Sequence, residues 1–136
     1  MREIASTLLF DTAGRFLFQQ RDNIAGITEP GKIGLFGGHK EANETFLECI
    51  AREVSEELGI MLPREEFQPL TTYEGTDIEV GGPIRAEFFV ARNIDLHQIT
   101  ITEGCLVVAN PEKIPRLRGR LTAYAGFALK ALGIDT

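Results

Sequence analysis

The sequence predicts an α/β fold in which a mixed β-sheet lies between helical layers. Strand-like segments stand on both sides of one strongly amphipathic segment, a second amphipathic segment follows them, and turn residues separate them all. Strands that surround one helix and precede another are expected to form a sheet covered by helices. Periodicity alone does not fix the order of the strands.

The expected strands are short segments rich in apolar and β-branched residues. The first two are joined by residues 11–14, whose Asp and Gly fit a hairpin turn. A Gly-Gly-Pro turn at residues 81–83 separates a later pair. In chain order the expected strands cover residues 3–10, 15–20, 33–36, 67–80, 84–93 and 104–109.

The central helix is expected to begin at Asn43 or Glu44 and to end at Gly59. Asparagine is a good N-cap, the helix dipole favours a glutamate in the first turn, and glycine commonly ends a helix. An Asn-Pro pair predicts a short helix over residues 110–114. The helical period of apolar residues over 121–132 predicts a final amphipathic helix.

Three glutamates are predicted to stand together on one face of the central helix. Glu53, Glu56 and Glu57 follow the i, i+3, i+4 spacing that places side chains within an arc of about 100°. Like charges this close destabilise an isolated helix by a few tenths of a kcal/mol per pair. Mg²⁺ removes the repulsion, because it takes one or two carboxylates together with waters and phosphate oxygens. An enzyme that acts on phosphates with magnesium is therefore the first hypothesis.

Residues 38–60 resemble the signature of the Nudix hydrolase family, G-x5-E-x7-R-E-U-x-E-E-x-G-U, in which U is a bulky aliphatic residue. Every fixed position is met, by Gly38, Glu44, Arg52, Glu53, Val54, Glu56, Glu57, Gly59 and Ile60. The layout of the segments on both sides is also similar to that of the family. The resemblance implies the Nudix fold, an α/β/α sandwich in which the signature forms a loop, a helix and a loop beside a mixed sheet.

The resemblance also implies a reaction. A Nudix pyrophosphohydrolase cleaves a nucleoside diphosphate linked to another group, such as a nucleoside triphosphate or a nucleotide sugar, by attack of water on phosphorus. The implied cofactor is Mg²⁺, or Mn²⁺ in its place, and two or three such ions polarise the phosphoryl oxygens and lower the pKa of the water. The implied partner is thus a small molecule, a nucleoside diphosphate derivative.

By the same resemblance, Glu53, Glu56 and Glu57 match the metal ligands of the family. A backbone carbonyl of Gly37 or Gly38 is expected to complete the coordination. The plainer interpretation of the glutamates is a solvated helix face, and that of the glycines is a turn.

Three further residues complete the predicted catalytic set. Arg52 is expected to orient a glutamate through a charge-assisted hydrogen bond, or simply to pair with Glu48 four residues earlier. Glu44 is expected to hold the metal-binding residues in position rather than to bind the metal itself. The general base of the family comes from the helix or from a later loop, where Glu103 is the candidate and an ordinary loop glutamate is the alternative.

The predicted substrate-binding residues are Arg21, His39, Tyr73 and Arg85. Solvated surface charge, an exposed loop histidine and a core aromatic are their plainer interpretations. Many family members have a proline before the double glycine, where this chain has Phe36. We expect that difference to alter the shape of the substrate pocket or loop rather than the metal chemistry.

Two alternative functions use the same fold. One is a catalytically weak module that senses nucleotides by binding them, and the other is an isomerase. Both would be expected to lose or alter signature residues, and this chain keeps all of them. The hydrolase is therefore the leading hypothesis.

Length and composition predict a single domain over residues 1–136. A net charge of -6, from 14 basic and 20 acidic residues, argues against broad binding of nucleic acid. No apolar run approaches the length of a membrane span, and the first residues do not resemble a signal peptide. With only two cysteines and no disulfide framework, a cytoplasmic protein is expected. The apolar C-terminal helix could support a homodimer.

Overall fold

The computed structural model describes all residues from 1 to 136. The strands are β1 (Arg2–Asp11), β2 (Phe16–Gln20), β3 (Ile33–Gly34), β4 (Phe36–His39), β5 (Gln68–Thr76), β6 (Pro83–Ile94) and β7 (Cys105–Ala109). The α-helices are α1 (Phe46–Leu58) and α2 (Ala123–Ala131), and 3₁₀ helices span Arg64–Glu66, Leu96–Gln98 and Pro111–Leu117. The predicted α/β class is confirmed.

All seven strands belong to one mixed sheet. β1 and β6 pair in parallel at its centre, and every other pairing is antiparallel. β5 lies beyond β6 at one edge, and β7 pairs with β2 at the other side. On the side of β1 away from β6 there are two neighbouring strands, because β4 pairs with the first half of β1 and β2 pairs with its end. Residues 33–39 therefore fill the gap where β1 and β2 diverge.

The two helices cover opposite faces of the sheet. Side chains alternate between the faces of a strand, so Ala5 and Leu9 of β1 pack with α1 while Leu8 and Phe10 pack with α2. The α1 side also buries Ile50, Val54 and Leu58 of the helix itself, together with Phe36, Phe67 and Phe89 from the sheet and loops. This packing fixes the position of the adjacent, glutamate-bearing face of α1.

Helix α1 begins later than predicted. Thr45 is the N-cap, and it forms a reciprocal capping box in which its hydroxyl accepts from the Glu48 N–H and the Glu48 carboxylate accepts from the Thr45 N–H. The expected starts were wrong because Glu44 has another use: its carboxylate accepts from Arg52 and from the Glu41 N–H. The predicted end is correct, with Gly59 in the left-handed conformation at φ 68°.

Two strand boundaries also differ from the prediction. Gly37 and Gly38 lie within β4, where they pair with Ser6 and Ala5, rather than after the strand. The strand expected over 67–80 ends at Thr76. It ends there because the Asp77 carboxylate accepts from the backbone N–H of Glu79 and Val80 and so forms a turn.

The apolar face of α2 is used within the chain. Tyr124, Ala125, Ala128 and Leu129 are buried against the sheet. The surface that was expected to support a homodimer is therefore already covered. No helix is both long and apolar enough to cross a membrane.

Candidate active site

The glutamates of α1 face β4 with different degrees of exposure. The Glu53 side chain is 16% exposed and that of Glu56 is 59% exposed. Glu57 reaches the sheet, where its Oε1 accepts from the Gly37 N–H at 2.9 Å. Glu53 and Glu57 are thus held at the sheet, while Glu56 extends into solvent.

The absence of a side chain at position 38 makes room for the Glu53 carboxylate. A Cβ built there would lie 2.5 Å from the Cδ of Glu53 and 2.6 Å from each carboxyl oxygen. Real Cβ atoms do not approach other heavy atoms this closely, so any side chain at 38 would displace the Glu53 carboxylate. The missing side chain leaves the space in which that carboxylate lies.

Arg52 binds three elements of the signature together. Its Nη2 and Nε donate to the two carboxyl oxygens of Glu44, at 2.6 and 3.1 Å. Its Nη1 donates to Glu53 at 2.9 Å, and Nη2 also donates to the backbone carbonyl of His39 at 3.1 Å. The pairing with Glu48 considered from the sequence does not form, because Glu48 caps the helix and contacts Arg64. Arg52 therefore links the start of α1, a site glutamate and the end of β4.

The environment gives the carboxylates different proton affinities. The hydrogen bond from Arg52 lowers the pKa of Glu44 to about 2. Burial raises the pKa of Glu53, and Arg52 opposes the rise. Burial raises the pKa of Glu57 to about 8; the Gly37 N–H opposes this rise, and the charges of Glu53, Glu103 and Glu56 add to it. Two buried acids beside each other are the arrangement that a cation stabilises.

The donor set fits a hard divalent cation. No three acidic, histidine or cysteine side chains lie close enough to hold an ion on their own. Mg²⁺ does not require three, because it commonly takes one or two carboxylates and fills its remaining positions with water and phosphate oxygens. Glu53 and Glu57, which lie against Gly38 and Gly37 of β4 (the glycine strand), meet that requirement.

A cavity of about 270 Å³ adjoins this site on the α2 side of the sheet. Gly37, Gly38 and His39 of β4 form part of its wall, and Ile4 and Ser6 of β1 form another part. Because Gly37 also binds Glu57, the glycine strand is shared by the cavity and the carboxylates. The cavity and the carboxylates thus lie on the two sides of β4.

A buried polar network closes the far side of the cavity. Asp77, 6% exposed, accepts from the guanidinium of Arg2 and from the Tyr124 hydroxyl, the latter at 3.1 Å. Arg2 also donates to the Gly81 carbonyl at 2.9 Å. These bonds connect β1, the turn between β5 and β6, and α2. The wall that carries Glu79 is therefore fixed in place.

Two of the four predicted substrate-binding residues line the cavity, Arg21 and the exposed His39. The other two lie elsewhere. Tyr73 packs edge-on against Tyr124 and Phe127, at centroid distances of 6.1 and 5.6 Å. Arg85 lies over the ring of Phe46, at 5.6 Å from its centroid, in a separate groove beside α1.

Glu103 lies on an exposed loop whose backbone is held by a hydrogen bond from Gln19 to the Glu103 carbonyl, at 3.0 Å. Its charge contributes to the raised pKa of Glu57. Phe36, at the position where a proline is common, is wholly buried in the core on the α1 side and does not line the cavity.

Sequence reasoning missed three charged residues of the cavity, Arg2, Asp77 and Glu79. The expected strands begin at residue 3, which leaves out Arg2, and the strand expected over 67–80 includes both Asp77 and Glu79. The acidic pair two residues apart, just before Gly81 and Gly82, was the available signal of a turn with a polar inner side.

The family model of the NUDIX domain matches residues 1–113. The chain belongs to the NUDIX family. The match includes the whole signature, all seven strands and α1. Nudix hydrolases are pyrophosphohydrolases that act on nucleoside diphosphate derivatives, and this assigns the enzyme class. No curated protein matches the chain in sequence.

Solved structures confirm the Nudix fold. The MutT NUDIX hydrolase from Burkholderia pseudomallei is 24% identical, with a TM-score of 0.77, covering 96% of this chain and 97% of that one. The MutT protein from Methanosarcina mazei Go1 is 23% identical, with a TM-score of 0.76 and coverages of 97% and 93%. An Ap4A hydrolase from C. elegans is 16% identical, with a TM-score of 0.70 and coverages of 98% and 96%. These alignments cover 96–98% of this chain, whereas the family model ends at residue 113, before α2.

Proposed function

We propose that this Nudix protein is a Mg²⁺-dependent pyrophosphohydrolase of a nucleoside triphosphate or a nucleotide sugar. The observation that carries the proposal is the position of Glu53 and Glu57. These two half-buried carboxylates of α1 lie against Gly37 and Gly38 of β4, and the same glycines line a cavity. A pyrophosphate beside the strand can meet the carboxylates while the group attached to it lies in the cavity.

Glu53, Glu57 and the exposed Glu56 would hold Mg²⁺, or Mn²⁺ in its place, with a backbone carbonyl of Gly37 or Gly38. Bound ions of this kind supply charge that polarises phosphoryl oxygens and lowers the pKa of the attacking water. The Gly37 N–H orients the Glu57 carboxylate. Arg52 orients the Glu53 carboxylate, and the bidentate contact to Glu44 fixes Arg52 in turn.

The general base is proposed to be Glu103 or a glutamate of α1. Two observations support Glu103: its charge contributes to the raised pKa of Glu57, and its loop is exposed to solvent. Replacing Glu103 with Gln should lower kcat and remove one limb of its pH profile if Glu103 is the base.

The test is a panel of nucleoside triphosphates, nucleotide sugars and dinucleoside polyphosphates, assayed with Mg²⁺. We expect turnover of at least one member, with phosphorus NMR showing which bond breaks. Glu57→Gln should reduce kcat by about 10²–10⁴-fold. Glu112→Gln, the same change at an exposed residue of the last 3₁₀ helix, is the control and should retain full activity. Nucleotide binding without any turnover would contradict the proposal and favour the sensing module.

Three further expectations accompany the proposed enzyme. The chain is expected to form one folded domain, seen as a single cooperative unfolding transition. A cytoplasmic location is supported by the two free cysteines, Cys49 and Cys105. Sedimentation analysis would test the homodimer. Because the apolar face of α2 is buried within the chain, such a dimer would have to form through another surface.

A further inference from the structure

The Glu79 side chain has unused hydrogen-bonding capacity inside the cavity. It is 10% exposed, so it is nine-tenths buried. Its two polar contacts are long: Arg21 Nη2 lies 3.4 Å from Oε1, and the Tyr124 N–H donates to Oε2 over 3.5 Å. A carboxylate can accept about four hydrogen bonds, and burying a charge with few partners is costly. The Glu79 carboxylate can therefore accept further hydrogen bonds from a bound molecule, and these would stabilise its buried charge.

The neighbouring charges are consistent with this. Burial raises the pKa of Glu79, Arg21 opposes that rise, and Glu29 adds to it. The Glu29 carboxylate is already used, since it accepts from the Ala123 N–H at 3.2 Å. Donors from a bound molecule would offset the unfavourable burial of the Glu79 charge.

Arg21 and Glu79 together present a defined pattern to the cavity. The Arg21 Nη1 donates to the Thr28 carbonyl at 2.7 Å and Nη2 donates to Glu79 over 3.4 Å, which leaves the second N–H of Nη2 for a bound molecule. Side by side, the two residues thus offer one donor, the Arg21 Nη2, followed by two acceptors, the carboxyl oxygens of Glu79. The complementary flat edge carries one acceptor followed by two donors.

That edge occurs on guanine, whose O6 accepts while N1–H and the N2 amino group donate. Adenine presents the opposite order at the corresponding positions, an N6 amino donor and an N1 acceptor. Apolar side chains on the cavity walls, among them Ile27, Leu35 and Val80, suit a flat ring. The volume of about 270 Å³ is at the low end for ligand pockets, so it fits one end of a nucleotide rather than a whole dinucleotide.

We propose that Glu79 and Arg21 select a guanine base, with the Glu79 carboxylate accepting from N1–H and the N2 amino group while Arg21 donates to O6. The inference rests on the proposed function for its biological setting, because it names the base of the nucleotide that the enzyme hydrolyses. The interaction itself is a binding preference and can be measured without turnover.

The experiment measures binding of GMP, IMP and AMP by calorimetry in the absence of divalent cations. These monophosphates contain no pyrophosphate to hydrolyse. The wild-type protein should bind GMP about 10–100-fold more tightly than AMP, with IMP, which lacks the N2 amino group, in between. Glu79→Gln replaces one acceptor by a donor, and a glutamine pairs well with adenine. It should therefore lower the ratio of GMP to AMP affinity by at least about tenfold.

Glu74→Gln is the matched control, because it makes the same change at an exposed position of β5 outside the cavity. It should leave the ratio unchanged. A purely structural role for Glu79 would weaken all three nucleotides equally, and thermal unfolding would show the loss of stability. Equal binding of GMP and AMP by the wild type, no binding of GMP, or an unchanged ratio in Glu79→Gln would overturn the inference.

The two proposals fail in different ways. A guanine preference in binding with no hydrolysis of any nucleotide would contradict the proposed reaction and leave the base selection intact. Equal hydrolysis of guanine and adenine nucleotides, together with equal binding, would contradict the base selection and leave the proposed reaction intact.

Discussion

Gly38 of β4 and the Glu53 side chain of α1 lie so close together that a methyl group on Gly38 would overlap the Glu53 carboxylate. A Cβ at position 38 would lie 2.5 Å from the Glu53 Cδ. The glycine of the Nudix signature thus has a steric role in this chain, because it makes room for a carboxylate that comes from α1.

Gly38→Ala should therefore displace Glu53 and weaken the proposed metal site. We expect the Mg²⁺ concentration at half-maximal activity to rise and kcat/KM to fall by about 10–100-fold, as for other changes that disturb metal ligands. Overpacking should also lower the free energy of unfolding by about 1–3 kcal/mol. Kinetics at varied Mg²⁺ and thermal unfolding provide the measurements.

The control is Gly126→Ala, in the middle of α2. A Cβ there meets nothing within 4 Å, and alanine is the better helix former by about 0.5–1 kcal/mol. That variant should be at least as stable as the wild type and fully active. Normal Mg²⁺ dependence in Gly38→Ala would show that Glu53 can move without loss of the site.

Arg52→Lys tests the importance of the guanidinium fork. Lysine keeps the positive charge, but it cannot donate from three nitrogens to Glu44, Glu53 and the His39 carbonyl at once. We expect kcat/KM to fall by about 10–100-fold with little change in net charge. Arg64→Lys, whose contact with Glu48 is exposed and 3.4 Å long, should have no measurable effect. Equal activities of the two variants would contradict the positioning role of Arg52.

The start of α1 can be tested with two neighbouring substitutions. Thr45→Ala removes the capping hydroxyl and should lower the free energy of unfolding by about 1 kcal/mol. Asn43→Ala, at the residue that the sequence favoured as the cap, should be nearly neutral because that residue is exposed and outside the helix. Urea unfolding of both variants gives the comparison. The reverse order of stabilities would place the cap at Asn43.

Asp11 gives a pH-dependent contribution to stability away from the active site. Burial raises the pKa of its carboxyl, but hydrogen bonds from Arg15 and from the Ala13 N–H outweigh burial and hold the pKa below its usual 3.8. A group whose pKa is lower in the folded state stabilises the fold above the unfolded pKa. This stabilisation is lost as the pH falls through the folded value.

Asp11→Asn should therefore lower Tm most at pH 7, and the difference from the wild type should shrink as the pH falls below about 3.8. Asp22→Asn, at an exposed loop residue, is the control and should follow the wild type at every pH. A difference for Asp11→Asn that is the same at pH 3 and pH 7 would mean that packing, not charge, explains the effect.

The sequence was sufficient to predict the helix that carries the chemistry. The alternation of apolar and acidic residues in α1 follows one local period, and its apolar side is buried as expected at Ile50, Val54 and Leu58. Local chemistry did not distinguish Asn43 from Thr45 as the cap, since both residue types cap helices well. The outcome depended on Arg52, which draws Glu44 away from the helix start.

The cavity could not be predicted in the same way. Arg2 meets Asp77 across 75 residues of chain, and Asp77 meets Tyr124 across 47. Such contacts depend on the parallel pairing of β1 with β6 and on the docking of α2, which no short motif determines. The glutamates proposed to hold the metal lie within one signature, whereas Arg21 and Glu79, proposed to select the base, come from two separate segments.

The shared glycine strand has a consequence for how the enzyme can change. Glu57 and Glu79 lie on opposite sides of β4 and share no hydrogen-bond partner. Changes in free energy caused by substitutions at such separate sites add together. Under the two proposals, substitutions in the cavity wall alone can therefore change the substrate preference, in evolution or by design, while the residues proposed to cleave the anhydride stay unaltered.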